Sequence, residues 1–456
     1  MRLPVFHGAR DGAQYLPAVG ALWLLALPWV AARAQAPALP SALPSALSSA
    51  TLSAPEAPLD LPATLALARR AGPLQQVAAA REQAGLGRVR EGAQWLNPTI
   101  EWRRENLGSP LQPDIFATLY VPMDVSGRRL ALRGAAAAGR QRVAGDAAAE
   151  RRDGELLVAR AWLRAAGAQG ALDIAQRQYA ALREIADVDA ARLREGLVAE
   201  AVGLRTALEA DRARVALVAA RSEAAQARAQ IARLLSMTDA ELPPLAPLAA
   251  PTLPSPPDSA AVQTLALRVR PDVQAREAAV LEAQRRLAAE QRGVFGDLQL
   301  QGGTKETGGF MTGQIGLAMP FPLFNRNSGA RQRVAGELSE ARVLRDDLRL
   351  AVGGSVAAAW HTYAEVRAAS ADAATFDARG REIARIARVS YREGHATLTE
   401  LLDAERAAAD AMLAHLRWAA DAWLARLELE RAIGARLDAD GPLDLPVLSS
   451  LLTPGS

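Results

Sequence analysis

The sequence predicts a mainly α-helical protein with a small β part, built as one unit written twice. Three observations carry this. Alanine-rich runs such as "LRTALEADRAR" place apolar and charged residues at helical spacing. The tripeptide Arg-Glu-Gly interrupts two such runs, at Gly196 and Gly394, 198 positions apart. Short alternating segments precede each run, and their landmarks share nearly the same offset: Pro122 and Pro322 stand 200 apart. A fixed order at a steady offset signals internal duplication.

The elements follow in order. Residues 1–34 read as a secretory signal peptide: Arg2 and Arg10 are basic, "VGALWLLALPWVAA" is apolar, and "ARA" supplies small residues at a cleavage site. A Pro/Ala/Ser-rich linker occupies 35–60. The first repeat spans 61–241, with a helix, two strands over 97–107 and Ile115–Met123, and a long helical hairpin. A Pro-rich linker, 242–259, separates it from the second repeat, 260–436, whose strands fall at 297–304 and 312–320. A tail, 437–456, ends the chain. The long helical runs begin near Gly127 and Asn327. At 1.5 Å per residue each extends roughly 100 Å. Glycine inside a helix costs about 1 kcal/mol relative to alanine, so the two Arg-Glu-Gly sites are read as the reversals between long helices.

"QIGLAMPF" alternates strictly. Ile315, Leu317, Met319 and Phe321 lie on one side, and Gln314, Gly316 and Ala318 on the other. Such strands suit either a hairpin on a soluble core or a tilted crossing of a bilayer, which takes about nine to eleven residues. Four strands cannot close a barrel, since the smallest have about eight, so strands in lipid would have to be shared among copies.

Composition narrows the classes. Half of the 456 residues are hydrophobic yet only 4% are aromatic, and the formal charge is +3. Arginines alternate with Asp and Glu, which describes a solvated helix face and no nucleic-acid partner. The sequence has no cysteine, hence no disulfide framework, thiolate metal site or lipid-modified N-terminal Cys. Four histidines provide no His-x-x-x-His or His-Glu-x-x-His spacing, and "GGSVA" is not a nucleophile elbow. No catalysis, cofactor or bound metal is expected. Met123, Met311 and Met319 are read as ordinary apolar residues in or near the strands.

The duplicated plan resembles the TolC-type outer-membrane factors over nearly the whole mature chain. "REGLVA" at 194–199 resembles that family's tip signature, and "YREGHATLTELLDA" the tip of the second repeat. "PFPLFNRNSGAR" at 320–331 is similar to a segment of the heavy-metal branch, which serves cobalt–zinc–cadmium and copper–silver efflux. The resemblance implies a homotrimer, with a twelve-stranded outer-membrane barrel continuous with a periplasmic helical tunnel. It also implies docking to a periplasmic adaptor linked to an inner-membrane resistance-nodulation-division pump. On this reading the adaptor meets Arg194, Glu195, Gly196, Leu197, Val198 and Ala199, with Arg392, Glu393, Gly394 and His395. Ile315, Leu317 and Met319 face outer-membrane lipid. The family's acidic ring falls on Glu400 and Asp403, which share a helix face at i, i+3 and could equally be a solvated pair with Arg406. Tyr391 matches the family's tip lock, but the position matching its acidic partner is Val202, and the arginine of a second lock is Ala396. Closure would then use other contacts, through Glu200 or Arg392. An exporter of organic toxicants or proteins on the same architecture, and a soluble periplasmic coiled-coil scaffold, remain open.

Overall fold

The computed structural model describes residues 58–107, 113–256 and 258–437, so the signal peptide and most of the first linker and of the tail lie outside it. Two short helices, α1 (Leu61–Ala71) and α2 (Pro73–Glu91), lead into strands β1 (Thr99–Arg104) and β2 (Ile115–Met123). A 67-residue helix, α3 (Arg128–Arg194), follows and returns as α4 (Glu200–Leu234). The second repeat copies the order with α5 (Ser259–Val269), α6 (Pro271–Arg292), β3 (Leu298–Thr307) and β4 (Phe310–Ala318). It then continues through α7 (Ser328–Ala368), α8 (Ser370–Arg392) and α9 (Leu398–Ile433). Among the described residues no helix is long and apolar enough to cross a membrane.

Two expectations need correction. The second long run is not one helix: it is interrupted at Ala369. The backbone there stays right-handed at φ −74°, ψ −3°, so the axis is broken for one residue and not reversed. Side chains tether both flanks. Arg367 donates to the Leu253 carbonyl at 3.2 Å, and His415 Nδ1 lies 3.0 Å from the Ala373 carbonyl. The second strand pair is also longer and more tightly joined than expected. Lys305, Thr307 and Phe310 belong to the strands, and only Gly308 and Gly309 form the turn, with φ of +58° and +83°. Two left-handed residues match the right-handed twist of a hairpin, and glycine adopts them without steric cost. At its other end β4 stops at Ala318, so Met319, expected within the strand, lies just beyond it.

The helices pack through small side chains. Leu59, Trp162, Ile231 and the alanines of α3 and α4 form one core; Val262, Val352, Val356, Tyr363 and Leu429 form another. Alanine faces let helix axes approach closely, which is how a chain so poor in aromatics fills its interior. The Pro-rich segment between the repeats runs as an extended strap across these cores. Its carbonyls accept hydrogen bonds from Tyr363 (to Pro254, 2.7 Å), Trp423 (to Ala249, 2.9 Å) and Arg426 (to Thr252, 3.1 Å). Leu59 bridges it in parallel at Leu245. Proline has no N–H to satisfy, so such a strap offers mainly acceptors, and the helix side chains meet them.

The four strands form one antiparallel sheet in the order β1-β2-β3-β4. The join between repeats is therefore inside the sheet, at β2–β3, and β1 and β4 are its edges.

Candidate functional site: the open sheet and the hairpin tips

The sheet register sorts its side chains by face. Ile100, Leu119, Gly302 and Ile315 form one cross-strand row, and Val121, Leu300 and Leu317 another on the same face. The opposite face carries Glu101, Thr118, Gly303 and Gln314, then Arg103, Phe116, Lys305 and Thr312. The polar face is internally bonded: Gln314 donates to Thr118 at 2.9 Å and Tyr120 to Glu101 at 2.8 Å. The apolar face is bare, with Ile315 85% exposed and Ile100 79%. Among the described residues nothing covers this face.

At the far end of the helices the two reversals are built alike. Gly196 (φ +73°) and Gly394 (φ +76°) take the left-handed conformation that closes a helix C-terminus. Leu197 N–H donates back to the Arg192 carbonyl at 2.9 Å, and His395 N–H to that of Ser390 at 2.8 Å. A Cβ on either glycine would meet nothing within 4 Å, so both tips stand in open space. Arg194, Glu195, Leu197 and Ala199 are exposed and Val198 half-buried; Arg392, Glu393 and His395 are exposed.

Three polar links join the two hairpins just behind the tips. The Tyr391 hydroxyl donates to both carboxylate oxygens of Asp189, each at 2.9 Å, and Asp189 is fully buried. Arg192 adds to this pair, 3.8 Å from Asp189 and with its guanidinium 5.7 Å from the Tyr391 ring centre. Burial and the Asp189 carboxylate push the Tyr391 phenol up to about 12. Arg392 pairs with Glu184 at 2.5 Å, and Arg406 with Glu209 at 2.7 Å. The Arg406 hydrogen bond, working against burial and helped by Arg212, holds the Glu209 carboxyl below the ordinary glutamate range. Within the second hairpin Arg388 grips the buried Glu405 with both arms.

Sequence reasoning missed Asp189 by looking at Val202. The signal lay in helix phase: Leu182, Ala186 and Asp189 share one buried stripe of α3, and a carboxylate on such a stripe needs a partner. Glu400 and Asp403 are placed together as expected at i, i+3, but each has a local role. Glu400 completes a capping box with Thr397: its carboxylate accepts from the Thr397 N–H at 2.7 Å, which lowers its pKa. Asp403 is exposed and 3.8 Å from Arg406. Among the described residues no group of three or more His, Asp or Glu side chains could hold a metal ion.

The fold is that of solved outer-membrane channels. A membrane protein from Pseudomonas aeruginosa matches with a TM-score of 0.70 and 18% identity, over 85% of this chain and 92% of that one. The CmeC outer membrane channel of Campylobacter jejuni gives 0.70 and 15%, over 84% and 87%. The MtrE outer membrane channel of Neisseria gonorrhoeae, in its open state, gives 0.69 and 19%, over 83% and 90%. No family model and no curated protein matches the sequence. The likeness therefore establishes architecture: paired helical hairpins continuous with barrel strands.

Proposed function

We propose that the chain is the outer-membrane channel of a tripartite efflux system, a passive exit duct working as a homotrimer. The observation that carries this reading is the open sheet, whose two edges are unpaired and whose one face is apolar and bare. Unpaired backbone groups cost several kcal/mol each in lipid. A sheet of four strands can enter a membrane only by sharing its edges with copies of itself. On this reading Ile315, Leu317 and Met319 meet lipid, the polar face lines the lumen, and the helical hairpins extend into the periplasm. Extraction in detergent followed by native mass measurement tests it: a trimer is expected, and a detergent-free soluble monomer overturns it.

The tips are the surface offered to a periplasmic adaptor, itself coupled to an inner-membrane resistance-nodulation-division pump. Leu197 is an apolar side chain, 68% exposed at a reversal. Leu197→Asp should abolish efflux while trimers still reach the membrane, because the turn's backbone bonds do not involve this side chain. Transport retained at the parental rate would place docking elsewhere.

The cargo we favour is heavy-metal cations, on the resemblance of 320–331 to that branch and on the acidic pair near the entrance. Three copies of Glu400 and Asp403 around one axis would bring six carboxylates together and concentrate cations there. Replacing Asp403 with Asn and Glu400 with Gln should reduce cation selectivity and block by multivalent cations in planar bilayers. Glu400→Gln keeps a side-chain acceptor for the cap, so folding should survive. Unchanged selectivity and block would leave the pair as a cap and a surface carboxylate. Growth of a deletion strain across metal salts and organic toxicants decides between metal and organic cargo.

A further inference from the structure

The strap between the repeats has a second copy in the sequence. It reads Asp239-Ala240-Glu241, then Pro243, Pro247 and Leu248. Beyond α9 the chain reads Asp438-Ala439-Asp440, then Pro442, Pro446 and Val447. Each of these pairs stands 199 positions apart, inside the offsets that relate the two repeats, and Leu253 and Leu452 keep the same spacing. The helices that lead into the two segments also end alike. Ser236, just past α4, and Gly434, just past α9, are 198 apart and both left-handed, at φ +58° and +88°. Arg228 donates to the Asp239 carbonyl at 3.1 Å, and Arg426, again 198 further on, to the Leu437 carbonyl at 2.9 Å. Residues 438–456, which lie outside the described part, therefore leave α9 as the strap leaves α4.

The strap shows what such a segment does. Its first half covers its own repeat: Leu242 is buried, and Leu245 packs on the core around Trp162. Its second half crosses to the other repeat, where Trp423, Arg426 and Tyr363 hold the Ala249, Thr252 and Pro254 carbonyls. It thus follows the lateral order of the helices, in which α4 packs on α3, α3 on α9, and α9 on α7 and α8. Among the described residues α4 is one edge of that series and α7 with α8 the other. Burial marks the second edge. Trp162 and Leu163 of α3 are 3% and 2% exposed, whereas their counterparts on α7, Trp360 and His361, are half-buried and exposed.

We propose that residues 438–456 are a second strap, which crosses α7 and seats on α4 of a second copy around Ala225. The proposal rests on the homotrimer reading above. Ala225 is the first-repeat counterpart of Trp423, which receives the strap, and it is exposed. Val218, one heptad before it, is exposed too, and suits Leu445, Val447 and Leu448 of the arriving segment. Between them Arg221 is exposed and has no ion pair among the described residues, while residues 438–456 carry Asp438, Asp440 and Asp444 and no Arg or Lys. A second copy is favoured over the chain's own surface because the next hairpin beyond α7 must be a first one, and the chain's own α4 lies at the opposite edge. Each copy gives one strap and receives one, so the ties run head to tail and close a ring.

The sequence has no cysteine, so Leu448→Cys with Ala225→Cys places two thiols where the second strap would meet its neighbour. Leu448 is the counterpart of Ala249, whose carbonyl Trp423 holds. The full-length double variant is extracted from membranes in detergent, treated with a short bismaleimide and resolved after denaturation. Linked dimers and trimers should replace most of the monomer band, and neither single variant should give them. A link within one chain, seen as monomer without free thiol, overturns the crossing to a second copy. Links from Leu448→Cys alone overturn the seat on α4, because the segments then meet one another. Two free thiols in an oligomer intact by native mass measurement overturn the strap and leave the homotrimer reading standing. If the parental protein forms no oligomer, the homotrimer reading itself fails. Ser222→Cys, exposed one turn from Ala225, repeats the measurement if Ala225→Cys does not assemble.

Discussion

Leu317→Arg is expected to stop assembly. Leu317 pairs with Leu300 across β3–β4, on the bare apolar face and one row from Ile315. An arginine facing lipid near the bilayer midplane costs about 2–4 kcal/mol, and a trimer would meet that cost in every copy. Gln314→Arg is the control. It lies on the opposite face, three residues away, and loses only its hydrogen bond to Thr118. A lumen-facing arginine stays in water, so Gln314→Arg should assemble with at most a modest loss of heat resistance. The readout is the fraction of heat-resistant oligomer in outer-membrane extracts. Equal assembly of the two variants would mean that the faces are not divided between lipid and lumen.

Which side chains share a sheet face was legible in the sequence because a strand has a period of two and a one-residue slip would turn every side chain over. The tips were legible because glycine is costly in a helix and recurs at the same tripeptide. Part of what escaped was set by contacts remote in sequence. The interruption at Ala369 has no glycine or proline to mark it; it lies where Arg367 and His415 reach away to other segments. The Gly308–Gly309 turn could have been read as a two-residue hairpin, since adjacent glycines suit the two positive-φ positions of such a turn. Thr397-x-x-Glu400 ahead of Leu401 and Leu402 also carried the spacing of a capping box. Asp189 was hidden by offset matching. Its role follows from the phase of α3, not from its distance to the second repeat.

The links between the hairpins lead to the second large expectation: loosening them should open the entrance. Asp189 is fully buried, and its partners are the Tyr391 hydroxyl and, more distantly, Arg192. Tyr391→Phe leaves that buried carboxylate without its hydroxyl donor, and Arg406→Ala frees Glu209, which is 8% exposed, from the second hairpin. Leaving a buried carboxylate without a hydrogen-bond donor costs about 1–3 kcal/mol, and more while the group stays charged. The cheapest relief is for the hairpins to part and let water reach both carboxylates. Apolar packing between the hairpins at this level is confined to a small cluster, Leu402 against Leu182, Ala186, Ala210 and Ala213. Tyr391→Phe with Arg406→Ala should therefore raise single-channel conductance severalfold in planar bilayers, with oligomer stability little changed, since the sheet and the two larger cores lie elsewhere. The pH dependence has a definite sign. Glu209 has a depressed folded pKa, so its link is present above the ordinary glutamate range and is lost as pH falls through the folded value. Tyr391 has a raised one, so its link is intact at neutral pH and is lost only as pH climbs towards about 12. On the channel reading, the parental protein should stay narrow from neutral to mildly alkaline pH and widen on strong acidification. The Arg406→Ala variant should have lost the part of that response due to Glu209. If the double variant conducts no better than the parent, the Tyr391 and Arg406 links hold the hairpins in shape without controlling the entrance.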